Sequence, residues 1–128
     1  MENTKDQIQK IIRESFKDTD YKIHDYLDVQ YEQEPEDAGF AILLIARKDE
    51  PIIGSAQHPK RALIVDFFYI EGVRSIKDFG TAAGLNAFSN KDRVFPSEDE
   101  VAVTNILNSI NKKTALLRFL YKKDKEAS

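Results

Sequence analysis

A chain of 128 residues, 41% hydrophobic and 32% charged, has the size of one domain, residues 1–128, and the composition of a soluble globular protein. Its net charge of −3 argues against a polyelectrolyte built for nucleic acid, and the absence of cysteine excludes disulfides, zinc thiolate sites and cysteine nucleophiles. The longest apolar run, Phe40 to Ala46, is seven residues, far short of the roughly 20 of a membrane helix.

Ile8, Ile11, Ile12 and Phe16 fall at i, i+3, i+4 and i+8, which predicts an amphipathic first helix. Thr4 with Gln7 has the form of a capping box, and Asp18-Thr19-Asp20 ends the helix by competing for backbone hydrogen bonds. From Tyr21 the period becomes two. Tyr21, Ile23, Leu27, Val29 and Tyr31 share one face of a predicted strand, and Asp25 and Tyr26 break the alternation as a bulge would. The turn Glu34-Pro35-Glu36-Asp37-Ala38-Gly39 leads to Phe40–Ala46, apolar on both faces and suited to a central strand. A long loop from Pro51 to Lys60 precedes a third strand over Ala62–Ile70, where Asp66 is the one charged residue. Connections this short make the sheet an antiparallel meander.

Ser75-Ile76-Lys77-Asp78 then reads as a helix start, with Ile76, Phe79, Ala83, Ala87 and Phe88 on one side. Gly80 and Gly84 each cost such a helix about 1 kcal/mol relative to alanine. Ser97-Glu98-Asp99-Glu100 opens a last helix whose stripe runs through Val103, Ile106, Leu107, Ile110, Thr114, Leu117 and Tyr121. The expected fold is α+β: an N-terminal helix, a three-stranded antiparallel meander, and two or three C-terminal helices on one sheet face.

This order resembles, in topology only, a double-stranded-RNA-binding domain. The resemblance implies phosphate contacts from the start of the helix after the third strand, here Arg74, Ser75 and Lys77. Asp78 and the acids Glu98, Asp99 and Glu100 depart from that pattern, because a helix start rich in carboxylates repels phosphate.

Two apolar strands each carry a carboxylate, Asp25 and Asp66. Converging, they could hold a metal for a hydrolase; apart, they are ordinary ion-pair or surface acids. His24 falls on the polar face of the first strand, and His58 precedes Lys60 and Arg61. Neither histidine has a readable catalytic partner, and no metal or cofactor is expected. The loop residues Gln57, His58, Lys60 and Arg61 instead offer a recognition surface.

Charge is segregated. Glu32, Glu34, Glu36 and Asp37 form an acidic turn, whereas residues 112–125 hold five lysines and Arg118 against Asp124. A straight helix from Glu98 to Lys122 would span roughly 37 Å, about the diameter of the domain. Either it breaks near Asn111-Lys112-Lys113 and folds back, or Leu116 and Phe119, which project away from the core stripe, form an exposed patch.

The expected function is a small cytoplasmic protein-binding module, of inhibitor, immunity or adaptor type, acting on another protein without catalysis. Homo-oligomerisation through the last helix is a second use of Leu116 and Phe119. The alternative is nucleic-acid binding through Lys60, Arg61, Arg74, Lys77 and the lysines Lys112, Lys113, Lys122, Lys123 and Lys125. The polar residues Met1 to Asp6 lack a signal-peptide core, and no membrane partner is expected.

Overall fold

The computed structural model describes residues 3–30, 39–49, 52–53, 58–59, 61–80 and 97–127. Within these segments, side chains are described except at 52–53, 58–59, 61–62, 77–80, 97–100 and 127. Helix α1 spans Thr4–Glu14. Its cap lies one residue upstream of the expected one: the Asn3 side chain accepts from the Asp6 N–H at 2.8 Å. Asparagine is among the strongest N-caps, and Thr4 becomes the first helical residue. Ile8 and Ile12 are fully buried, as the spacing predicts. The helix stops where Ser15 gives both its N–H and its hydroxyl to the Ile11 carbonyl, and Asp18 turns the chain at φ +61°.

Strand β1, Tyr21–Val29, runs antiparallel to β2, Phe40–Arg47. Ile23 faces Ile45 and Asp25 faces Leu44, so His24 is the extra residue of a bulge. The bulge sits where the broken alternation places it. The two phases it joins are less obvious. Tyr21 and Ile23 before it, and Tyr26 after it, pack on the helix-covered face, whereas Leu27 is turned out and exposed.

A two-residue ladder, β3 (Ile52–Ile53) with β4 (His58–Pro59), lies between β2 and β5. Strand β5, Arg61–Phe68, pairs with β2 on one side and with β6, Gly72–Gly80, on the other. The main sheet is a four-stranded antiparallel meander in the order β1-β2-β5-β6, one strand more than expected. The fourth strand replaces the start of the helix expected from Ser75. Val73 faces Phe67 and Ile76 faces Val65, so pairing overrides a helix-like spacing already weakened by glycine. Arg74, Ser75 and Lys77 are therefore strand residues, which removes the helix start on which the likeness to an RNA-binding domain depended.

Beyond β6, the described residues hold one helix where two or three were expected. Helix α2, Ser97–Ala127, is unbroken across Asn111-Lys112-Lys113. Its 31 residues span about 46 Å, more than the roughly 36 Å diameter of a compact chain of this length. Both helices pack on one sheet face. Ile8 and Ile12 of α1, with Phe16 of the turn after it, meet Leu43, Ile45, Val65 and Phe67 of the sheet and Val103, Leu107, Ile110 and Tyr121 of α2 in one core. Leu44, Ile64 and Ile42 form a smaller cluster on the opposite face.

Candidate functional site

Helix α2 carries the exposed apolar residues the sequence singles out. Leu116 is 68% exposed and Phe119 55%, and Leu120, which the sequence does not single out, is 42% exposed. At about 100° per residue Leu116 and Phe119 lie opposite the buried stripe of Val103, Leu107, Ile110, Thr114 and Tyr121, and Leu120 lies on the flank between. Lys112, Lys113 and Lys123 are exposed beside them, and the Lys123 ammonium lies 5.5 Å from the centre of the Phe119 ring. An apolar strip edged by ammonium groups can bury against an apolar surface while pairing its edges with carboxylates.

The patch has a rigid support. The Thr114 hydroxyl donates to the Ile110 carbonyl at 2.7 Å and accepts from Arg118 Nε at 3.1 Å. Arg118 also donates to the Asn111 carbonyl at 2.9 Å and, across to the β5–β6 turn, to the Ile70 carbonyl at 3.3 Å. Asn111 Oδ1 accepts from the Val73 N–H at 3.3 Å. Burial lowers the Arg118 pKa, and these acceptors hold the guanidinium against the sheet. Arg118 therefore locks the helix in place and adds little to the basic outer surface, a role its position in a charge run does not reveal.

The second polar constellation lies under α1. Tyr69 is fully buried, and its hydroxyl donates to Asp28 Oδ1 at 3.0 Å and accepts from Gln9 Nε2 at 3.0 Å. With that proton committed, it accepts from the Tyr26 hydroxyl 3.1 Å away. Lys5 Nζ closes the network on Asp28 Oδ2 at 2.6 Å. The Tyr69 hydroxyl has each of its hydrogen-bonding sites filled, so the network reads as a structural tie between α1, β1 and the end of β5. It arises because the bulge brings Tyr26 and Asp28 to the helix side of β1. The signal was present in the sequence as a tyrosine and an aspartate in the polar phase.

This network predicts alkaline sensitivity. Burial pushes the Tyr26 hydroxyl from its ordinary value near 10 up to about 12, and burial also raises Tyr69 and Tyr121. A phenol harder to ionise in the folded chain than in the unfolded one contributes stability below pH 10, and Tyr26's share is lost as pH rises from 10 to 12. Urea midpoints are expected to hold steady from pH 7 to 9 and fall above about 10, less steeply in Tyr26→Phe.

The other candidates are dispersed. Asp25 faces Leu44 and Asp66 faces Ile42, on the sheet face away from the helices with β2 between them. Two strand spacings alone separate them by about 10 Å, so they do not converge. Among the described residues no cluster of three or more histidines and carboxylates is placed to hold a metal. Arg74 pairs with Glu71 at 3.0 Å and lies over the Phe68 ring, again on the face away from α2. His58 faces Ile53 in the short ladder, and Arg61 opens β5 opposite Gly80. Lys77 faces Ile64. The side chains of these three, with Gln57, Lys60 and the acidic turn of Glu32, Glu34, Glu36 and Asp37, lie outside the described residues.

Compared with known proteins, the chain matches no family model, no curated protein and no solved structure. Among the described residues, no helix is long and apolar enough to cross a membrane. A functional reading therefore rests on the geometry of this chain alone.

Proposed function

We propose that the protein acts by direct contact with another protein, docking an acidic, partly apolar surface on the outer face of α2. The observation that carries this reading is the exposed strip of Leu116, Phe119 and Leu120 edged by Lys112, Lys113 and Lys123. Exposed apolar residues gathered on one face mark interfaces more often than do scattered ones.

Charge favours a foreign partner over a second copy. Two α2 helices paired antiparallel about Leu116 and Phe119 would set Lys112 against Lys123 at both ends of the contact. Such like-charge pairs oppose association, whereas carboxylates on a partner would steer and orient it. The basic residues of the nucleic-acid alternative are divided in space, with Arg74 on the far side of the sheet from the α2 lysines.

Phe119→Asp tests the proposal. The residue is exposed, so the thermal midpoint should stay nearly unchanged and stability within about 0.5 kcal/mol. A partner captured from the native host and purified should bind the variant at least about tenfold more weakly, and Lys123→Glu should slow its association. Equal affinity for wild type and Phe119→Asp would overturn the assignment. Light scattering covers the other occupant: a mass well above the 14.7 kDa chain, reduced to it by Phe119→Asp, would give this face to a second copy.

A further inference from the structure

The outer face of α2 continues beyond the strip in its C-terminal half. Among the described residues six large hydrophobic side chains are exposed, and four of them, Val101, Leu116, Phe119 and Leu120, belong to this helix. Val101, at 60%, is as exposed as Phe119. The two stand 18 residues apart, which is five turns of about 3.6 residues, so they share one line roughly 27 Å long. Asn105, Asn108 and Lys112 are exposed near the same line between them.

This face is a ridge with both flanks closed. On one flank Asn111 accepts from the Val73 N–H and Arg118 donates to the Ile70 carbonyl, both at the β5–β6 turn. On the other, Ile106 and Leu117 pack against the core. A partner cannot wrap around α2 and has to lie along it. An element that reaches both Val101 and Phe119 is straight for at least that 27 Å or so. A helix of about 18 residues has this reach, and spacings of three and four residues keep two helices in contact over several turns. An extended strand laid on a helix would leave its backbone groups without partners on both edges.

Charge along the ridge is ordered. The first turn of α2 carries Glu98, Asp99 and Glu100, the middle is uncharged at Asn105 and Asn108, and Lys112, Lys113, Lys122 and Lys123 follow. Many helices carry acids in the first turn and bases in the last, where each offsets the helix dipole. A helix of that ordinary kind complements α2 only when antiparallel, with its acids on the lysines and its bases near Glu98, Asp99 and Glu100. Laid parallel, it would set like charges together at both ends.

We infer that the docking element of the partner is an amphipathic helix, acidic in its first turns and basic in its last, lying antiparallel along α2 and contacting both Val101 and Phe119. The inference rests on the docking role proposed above for Leu116 and Phe119. It adds Val101 and the acidic first turn to that face, and it fixes the shape and direction of what the face takes.

The probe is a synthetic peptide of about 21 residues, three heptads long, with leucines at alternating spacings of three and four. Glutamates occupy its first two turns and lysines its last two. Titrated into the isotope-labelled full chain, it should give saturable amide shifts along residues 101–123. A spin label on its first residue should broaden the amides of 116–125 and spare those of 101–105. Val101→Asp places a carboxylate in an early turn, where a helix accepts one, so circular dichroism should not change. Peptide affinity should nevertheless fall at least about threefold, and at least about tenfold in Phe119→Asp. No saturable shift, broadening at 101–105 in place of 116–125, or full affinity in Val101→Asp would overturn the inference. The docking role of Leu116 and Phe119 would then still stand or fall with the captured partner and Phe119→Asp. Because α2 has the same order of charge, the chain alone is also followed from dilute to concentrated solution. Shifts along 101–123 without peptide would give this face to a second copy and overturn the inference.

Discussion

Tyr69→Ala is expected to cost about 3–5 kcal/mol, the range for emptying a buried aromatic site. The ring is fully buried, edge-on to Phe67 at 6.3 Å and tilted against Tyr121 at 5.8 Å, with the Lys5 ammonium 5.1 Å from its centre. Truncation removes the contact joining the end of β5 to the last buried turn of α2. It also strips a partner from Asp28, Gln9 and Tyr26 at once. A domain of this kind has only about 5–15 kcal/mol in all, so the urea midpoint should fall by a large fraction. Tyr69→Phe separates ring from hydroxyl. It should cost only about 1–2 kcal/mol, because exposed Asp28 can turn to water. Equal losses for the two variants would show that the hydroxyl network, and not the ring, carries the stability.

Gly72→Ala should destabilise by about 2–3 kcal/mol from two causes, a backbone conformation unfavourable to L residues and the loss of a hydrogen bond. Gly72 has φ +89°, and an added Cβ would sit 2.5 Å from Asn111 Oδ1 and 3.4 Å from the Arg118 guanidinium carbon. Asn111 can retreat only by releasing the Val73 N–H. The substitution thus attacks the lock between α2 and the β5–β6 turn without removing any apolar surface. Denaturant unfolding of Gly72→Ala, Asn111→Ala and the double variant checks this. Asn111→Ala removes the obstacle, so the double variant should lose clearly less than the sum of the single losses. Strict additivity would place the whole cost in the backbone angle.

The parts of the fold legible in the sequence are those set by local periodicity. The α1 stripe, the bulge beside Asp25, the meander of β1, β2 and β5 and the buried stripe of α2 all follow from spacing. The exposure of Leu116 and Phe119 follows from the same helical angle once the helix is continuous. Strand β6 was not legible, because Ile76 and Phe79 have helical spacing and only Val65 and Ala62, reached through a tight turn at Gly72, give them a strand's partners. The role of Arg118 was hidden for a similar reason: its acceptor at Ile70 is 48 residues away in sequence. Pairwise contacts across such separations leave no periodic trace.

The bulge at His24 also bears on what can join this sheet. Strand β1 is at the edge, where unpaired N–H and C=O groups would otherwise invite another chain to extend the ladder. One extra residue in mid-strand breaks the regular spacing of those groups, and Lys22, His24 and Asp25 place polar and charged side chains around the break. An incoming strand would have to match an irregular register while desolvating charge. Main-chain addition along β1 is therefore disfavoured, which guards that edge of the sheet against edge-to-edge association.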